Sequence, residues 1–109
     1  MRRGEIRLCR FGPPDKRRPA ILLTRQSSME LLNSVTVVPI TSTRRGLASE
    51  ILLGPEHGLK HDSAANFHNV MTIRKSDVGP LVSVVSEDLM ERACRSLGFA
   101  LGCDDMLIQ

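Results

Sequence analysis

With 109 residues, 41% apolar and 25% charged, the chain has the size and composition of one soluble globular domain with a core of its own, and it lacks the roughly 20-residue apolar run of a membrane span. Its three cysteines, Cys9, Cys94 and Cys103, stand far apart with no CxxC pair, which argues against a disulfide scaffold or zinc framework and suits a reducing cytosol. The net charge of +3 conceals an asymmetry: residues 1–45 hold ten Lys/Arg against three Asp/Glu and residues 46–109 five against nine, so the basic half fits a polyanionic partner.

In chain order, residues 4–10 (GEIRLCR) partly alternate and read as a strand with Ile6 and Leu8 on one face. Pro13, Pro14 and Asp15 signal a turn. Residues 19–24 (PAILLT) form a continuous apolar run, as a strand buried on both faces does. Pro19 is expected to open that strand, because it cannot donate within a ladder. A short irregular or helical piece fits 26–32. Residues 35–40 (VTVVPI) are β-branched, and Pro39 suggests that the strand ends irregularly or at an edge.

A basic loop follows at 41–47 (TSTRRGL), then a strand at 49–53 and the loop GPEHGLKHD. Residues 63–68 and 70–74 read as extended, and 80–85 as the last strand. Ser86 followed by Glu87 and Asp88 is a helix start, a capping hydroxyl with carboxylates at the positive helix end. Leu89, Met90, Ala93, Cys94, Leu97 and Leu101 recur at one-face spacing, and Gly102 stops the helix. No repeat or linker divides residues 1–109. Arg2 and Arg3 lead into no apolar segment, so a cytoplasmic protein without a signal peptide is expected.

Arg18 precedes Pro19, which biases it to extended backbone at a strand mouth. A guanidinium fixed there can grasp a phosphate with two donors, or pair with an acid such as Asp15. Thr41 and Ser42 end the third strand, where hydroxyls bond a phosphate or cap their own loop. Arg44 and Arg45 add charge suited to tracking a nucleic-acid backbone. Of His57, His61 and His68, the first two lie in a glycine-containing loop and the third in NFHNV; each can carry a proton. No HExxH, P-loop, GxSxG or GxGxxG is present, and no metal or cofactor is expected.

In order, RRGEI, RRPAILLT, VVPITS, SEILL and HDSAANFHNVMTI, closed by a serine-capped helix, make the chain resemble the MazF/PemK (Kid) family of toxin endoribonucleases from type II toxin–antitoxin systems. TRRGL and NFHN are similar to its mycobacterial-type branch. The resemblance implies a mainly β fold, an SH3-like curved antiparallel β-barrel with a C-terminal helix. It implies a homodimer that cuts single-stranded RNA without metal, and a MazE-like antitoxin whose disordered tail covers the site.

By the same resemblance Arg18 and Thr41 are the catalytic pair. Arg17, Ser42, Arg44, Arg45 and Asn69 are further candidates for RNA binding. The family's first strand usually carries a tryptophan where Arg7 stands, and its DQxRT run reads His68-Asn69-Val70-Met71-Thr72 here. His68 occupies the place of an aspartate and is the candidate proton shuttle. The implied scheme is attack by the RNA 2′-hydroxyl, leaving a 2′,3′-cyclic phosphate and a 5′-hydroxyl. The loops at 11–17, 41–48 and 54–61 would carry sequence specificity, and the apolar tail MLIQ would contribute to the dimer. The rival readings are a CcdB-like gyrase-inhibiting toxin and a non-catalytic RNA-binding barrel.

Overall fold

The computed structural model describes residues 1–12 and 16–103. Its strands are β1 (Glu5–Arg10), β2 (Arg17–Leu22), β3 (Ser34–Thr41), β4 (Glu50–Leu53), β5 (Ser63–Asn66), β6 (Met71–Arg74) and β7 (Val78–Val84). A single-turn helix, α1 (Gln26–Met29), follows β2, and α2 (Glu87–Ala100) follows β7. Three 3-10 turns fill Pro55–His57, Phe67–Asn69 and Lys75–Asp77. The proposed turn at Pro13–Asp15, the Asp15 ion pair and the MLIQ tail lie outside the described residues.

Every strand pair is antiparallel, in the order β4-β5-β3-β2-β1-β7, with β6 beside β3. β3 is the hub. β2 lies on one flank over Val37–Pro39, while the other flank is shared by β6 over Ser34–Val37 and β5 over Ile40–Thr41. β1 meets β7 with register shifts on both sides of Arg7, and such bulges bend a sheet. The ladder is not closed, because β4 and β7 at its two ends do not pair. The 3-10 turn at Pro55–His57 crosses the opening, where Ser83 Oγ donates to the His57 carbonyl. The chain thus has the mainly β, barrel-like fold with a C-terminal helix that its motifs imply.

Burial explains why AILL is uninterrupted. Ala20 and Leu22 face one hydrophobic cluster, with Val35, Val37 and Met29. Ile21 faces the other, with Val38, Ile40 and Phe67. β2 is therefore apolar on both sides of the sheet, as a covered central strand must be. α2 lids the second cluster through Leu89, Met90 and Ala93. The Ser86 hydroxyl accepts from the Leu89 N–H at 3.1 Å, with Glu87 and Asp88 in the first turn. Gly102 follows with φ of +77°. The apolar stripe is narrower than its spacing suggests: Cys94 and Leu101 are exposed and Leu97 is half-buried.

Both prolines sit deeper in their strands than expected. β2 begins at Arg17, so Pro19 is its third residue, opposite Leu8 of β1. β3 joins β2 only from Ala20 onward, so at Pro19 one flank needs no donor. Pro39 lies inside β3, in the gap between the β6 and β5 partners, where again a missing N–H costs no ladder bond. His68 is not on an extended segment: β5 ends at Asn66 and the chain turns through Phe67–Asn69. β7 starts two residues earlier than residue 80, at Val78.

Candidate active site

The ends of β2 and β3 build the site. Their register pairs Ala20 with Pro39, and continued outward it sets Arg18 opposite Thr41 and Arg17 opposite Ser42. Alternate strand residues face opposite sides of a sheet. Arg18 and Thr41 therefore share one face, and Arg17 and Ser42 the other.

On the first face lies a cleft of about 580 Å³ whose walls include Arg18, Thr41, Arg45, His68, Asn69 and Met71. Arg18 is exposed and makes no ion pair among the described residues. A guanidinium held on a strand and left open in a cleft is placed to receive an anion. Thr41 Oγ1 accepts the Thr43 N–H at 3.2 Å, which leaves its own O–H free to donate. Met71 brings no charge to the wall where the family resemblance leads one to look for an arginine. Positive charge in this cleft comes instead from Arg18 and Arg45.

Two residues of the cleft were not legible as site residues. Glu50 accepts from the Arg45 N–H at 3.1 Å and the Leu47 N–H at 2.9 Å. These backbone donors, Leu47 first, hold its carboxyl below the ordinary carboxylate range despite some desolvation. Glu50 thus ties down the loop that brings Arg45 to the cleft, although SEILL reads only as a strand. Asn66 Oδ1 accepts from the Ser49 hydroxyl at 3.1 Å and from the His68 N–H at 3.0 Å. It caps the 3-10 turn that carries His68 and Asn69. Asparagine two residues before a turning histidine is an Asx-turn signal, and it could have been read.

Arg17 and Ser42 stand elsewhere. They line a second cleft, of about 390 Å³, together with Pro19, Ile40, Lys60 and His61. Arg44 lines neither cleft and pairs with Asp62 at 3.6 Å. Of the predicted residues, Arg18, Thr41, His68, Arg45 and Asn69 come together, whereas Arg17, Ser42 and Arg44 do not join them.

Arg7, in the place of the family's usual tryptophan, has a structural partner. Its Nε donates to the buried Glu5 at 3.0 Å and its Nη1 to the Gly79 carbonyl at 3.1 Å. The Arg2 N–H also donates to Glu5, at 2.7 Å. Burial alone would raise the Glu5 carboxyl, but the bonds from Arg7 and Arg2 and the Arg7 charge outweigh it and hold the pKa below its ordinary value. One charged knot thereby ties β1 to β7.

Residues 2–101 match the family model described as PemK-like, MazF-like toxin of type II toxin-antitoxin system. A probable endoribonuclease MazF2 of Mycobacterium tuberculosis is 34% identical over 104 residues, covering 94% of this chain and all of that protein. Among solved structures, the M. tuberculosis toxin MazF-mt6 superposes with a TM-score of 0.82 at 31% identity, over 90% of this chain and 96% of that one. A mycobacterial endoribonuclease in complex with its cognate antitoxin gives 0.81 at 25% identity, over 92% and 93%.

Proposed function

The chain belongs to the PemK-like, MazF-like toxin family of type II toxin–antitoxin systems, and on that premise we propose that it is a toxin endoribonuclease that cuts single-stranded RNA at short sequences. The observation that carries the reading is the juxtaposition of Arg18 and Thr41 on adjacent strand ends in one cleft with His68. Relatives at this level of identity are named endoribonucleases, and one similar structure holds such an enzyme with its antitoxin.

RNA supplies its own nucleophile, the 2′-hydroxyl. The protein then has three tasks: to take the hydroxyl proton, to stabilise charge on the phosphorane, and to protonate the leaving 5′-oxygen. Arg18 meets the non-bridging phosphoryl oxygens with a two-pronged donor. Thr41 donates its hydroxyl to the same group and fixes its position. His68, on a turn pinned by Asn66, moves the proton. The 2′-oxygen bonds to phosphorus as the bond from phosphorus to the 5′-oxygen breaks, so one fragment ends in a 2′,3′-cyclic phosphate and the protonated leaving oxygen becomes the 5′-hydroxyl of the other. Arg45 and Asn69 hold the flanking chain. The scheme calls on no metal.

The working unit in this reading is a cytoplasmic homodimer, and its partner in the cell is a MazE-like antitoxin whose tail covers the cleft. No helix among the described residues is long and apolar enough to cross a membrane. Incubation of the purified protein with a defined RNA and its all-DNA counterpart in EDTA tests the activity. Cutting of the RNA alone is the expected result. Binding without cutting would favour a non-catalytic RNA-binding barrel, and neither would return the gyrase-inhibitor reading.

A further inference from the structure

We infer that the second cleft, on the opposite face of the β2–β3 strand ends, is a base-reading pocket for the nucleotide beside the scissile phosphate. The inference rests on the ribonuclease reading and assigns its sequence specificity to a place. Three observations carry it.

The first is continuity. Arg17 and Arg18 are consecutive, as are Thr41 and Ser42, and each pair splits between the two clefts. A single strand passing over the ends of β2 and β3 meets Arg18 and Thr41 on one side and Arg17 and Ser42 on the other. If its phosphate is held at the first pair, the next base reaches the second cleft.

The second is chemistry. Leu8, Pro19, Leu59 and Val82 give the cleft an apolar floor, and Arg17, Lys60 and His61 its rim, with no carboxylate in the lining. At about 390 Å³ it falls in the range of pockets that enclose small planar ligands. An unstacked base buries its faces on such a floor, while its edge bonds to polar groups at the rim. Ser42, Ser63 and His61 supply those groups, and the cations Arg17 and Lys60 suit the flanking phosphates.

The third is that the pocket is built rigidly. Gly58 has φ of +80°, and a Cβ there would lie 3.1 Å from Val82 Cγ1 and 3.4 Å from the Val82 carbonyl oxygen. A side chain at this left-handed φ would be strained and would crowd Val82, so glycine suits the close approach of the 3-10 turn to β7. Ser83 fastens the same turn through the His57 carbonyl, and Ser63 Oγ donates to the His61 carbonyl at 2.9 Å. These bonds fix the backbone that carries the rim, and polar groups set on a fixed backbone discriminate bases because a wrong base leaves them unpaired.

The test is cleavage-site mapping on a long RNA, in EDTA and at limiting protein, for the wild type, His61→Ala and Val82→Phe. His61 is exposed, so His61→Ala tests edge recognition without disturbing the fold. Val82→Phe fills the floor, and its urea midpoint shows whether it folds. Base discrimination at one position flanking the cut should fall by about tenfold in the variants, with the other positions retained. An unchanged cleavage motif in folded His61→Ala and Val82→Phe would overturn the inference while leaving the ribonuclease reading standing. So would weakened binding of an antitoxin peptide by variants that keep the motif, since the pocket would then belong to that peptide. Failure of the wild type to cut RNA would instead remove the ribonuclease reading, and this inference with it.

Discussion

Asn66→Ala should both destabilise the protein and misplace its proton shuttle. The Asn66 amide oxygen is the acceptor for the Ser49 hydroxyl and for the His68 N–H. Ser49 is fully buried, so alanine takes away the acceptor its hydroxyl uses. A buried polar group stranded in this way costs about 1–3 kcal/mol. Loss of the cap on the 3-10 turn adds up to about 1 kcal/mol. A total near 2 kcal/mol would lower the melting temperature of a domain this size by roughly 8–14 °C. Urea denaturation should show a lower midpoint at unchanged slope. Asn66→Asp keeps an acceptor oxygen for both donors and should recover much of the loss. In single-turnover cleavage, Asn66→Ala should lower the rate beyond what its folded fraction explains. An Asn66→Ala protein within about 0.5 kcal/mol of wild type, the scatter of ordinary surface changes, would refute the reasoning, as would Asn66→Asp no better than alanine.

Glu5 makes stability pH-dependent with a definite sign. Its folded pKa lies below the ordinary value, so its contribution is present above the unfolded carboxylate pKa and is lost as pH falls through the folded one; Glu5→Gln should flatten that acid limb in denaturation curves. Gly79→Ala should cost about 1–3 kcal/mol, read by urea unfolding, because its Cβ would lie 2.5 Å from the Leu8 carbonyl oxygen on the paired strand and would collide with the Arg17 guanidinium. Ser86→Ala should cost about 1 kcal/mol through the lost Leu89 cap, with Ser86→Asp close to wild type. His68→Ala should remove one limb of the pH–rate profile; an unaltered profile would place the shuttle on another group.

What could be read from the sequence was what depends on local pattern. The uninterrupted AILL run, the β-branched VTVVPI segment and the Ser86 cap each declare themselves within a few residues, and α2 stops where Gly102 says it should. The prolines misled because the cost of a missing N–H depends on which neighbour lies alongside, and β3 changes neighbours at Pro39. The candidate site divides the same way. Strand-end positions singled out Arg18 and Thr41 and the family resemblance paired them, but their separation from Arg17 and Ser42 comes from strand alternation about a register that only the folded sheet supplies. Glu50 acts through backbone N–H groups three and five residues back and carries no motif of its own, whereas Asn66 makes a local Asx turn onto the His68 N–H whose bearing on the site depends on where the folded turn places His68. Arg44 looked like Arg45 in TRRGL, yet its partner Asp62 lies in a different loop.

The most direct measurement is single-turnover cleavage of a defined RNA in EDTA by wild type, Arg18→Ala, Arg18→Lys and Thr41→Ala, with the product ends identified. Wild type should leave 2′,3′-cyclic phosphate and 5′-hydroxyl ends. Arg18→Ala should lower the rate by about 10²–10³, the effect of losing one donor aimed at developing charge. Arg18→Lys should recover little of it, since an ammonium lacks the bidentate fork, and Thr41→Ala should also be slower. All should unfold in urea near the wild-type midpoint, because Arg18 is exposed and Thr41 only half-buried. Full activity in folded Arg18→Ala would contradict the account at its centre.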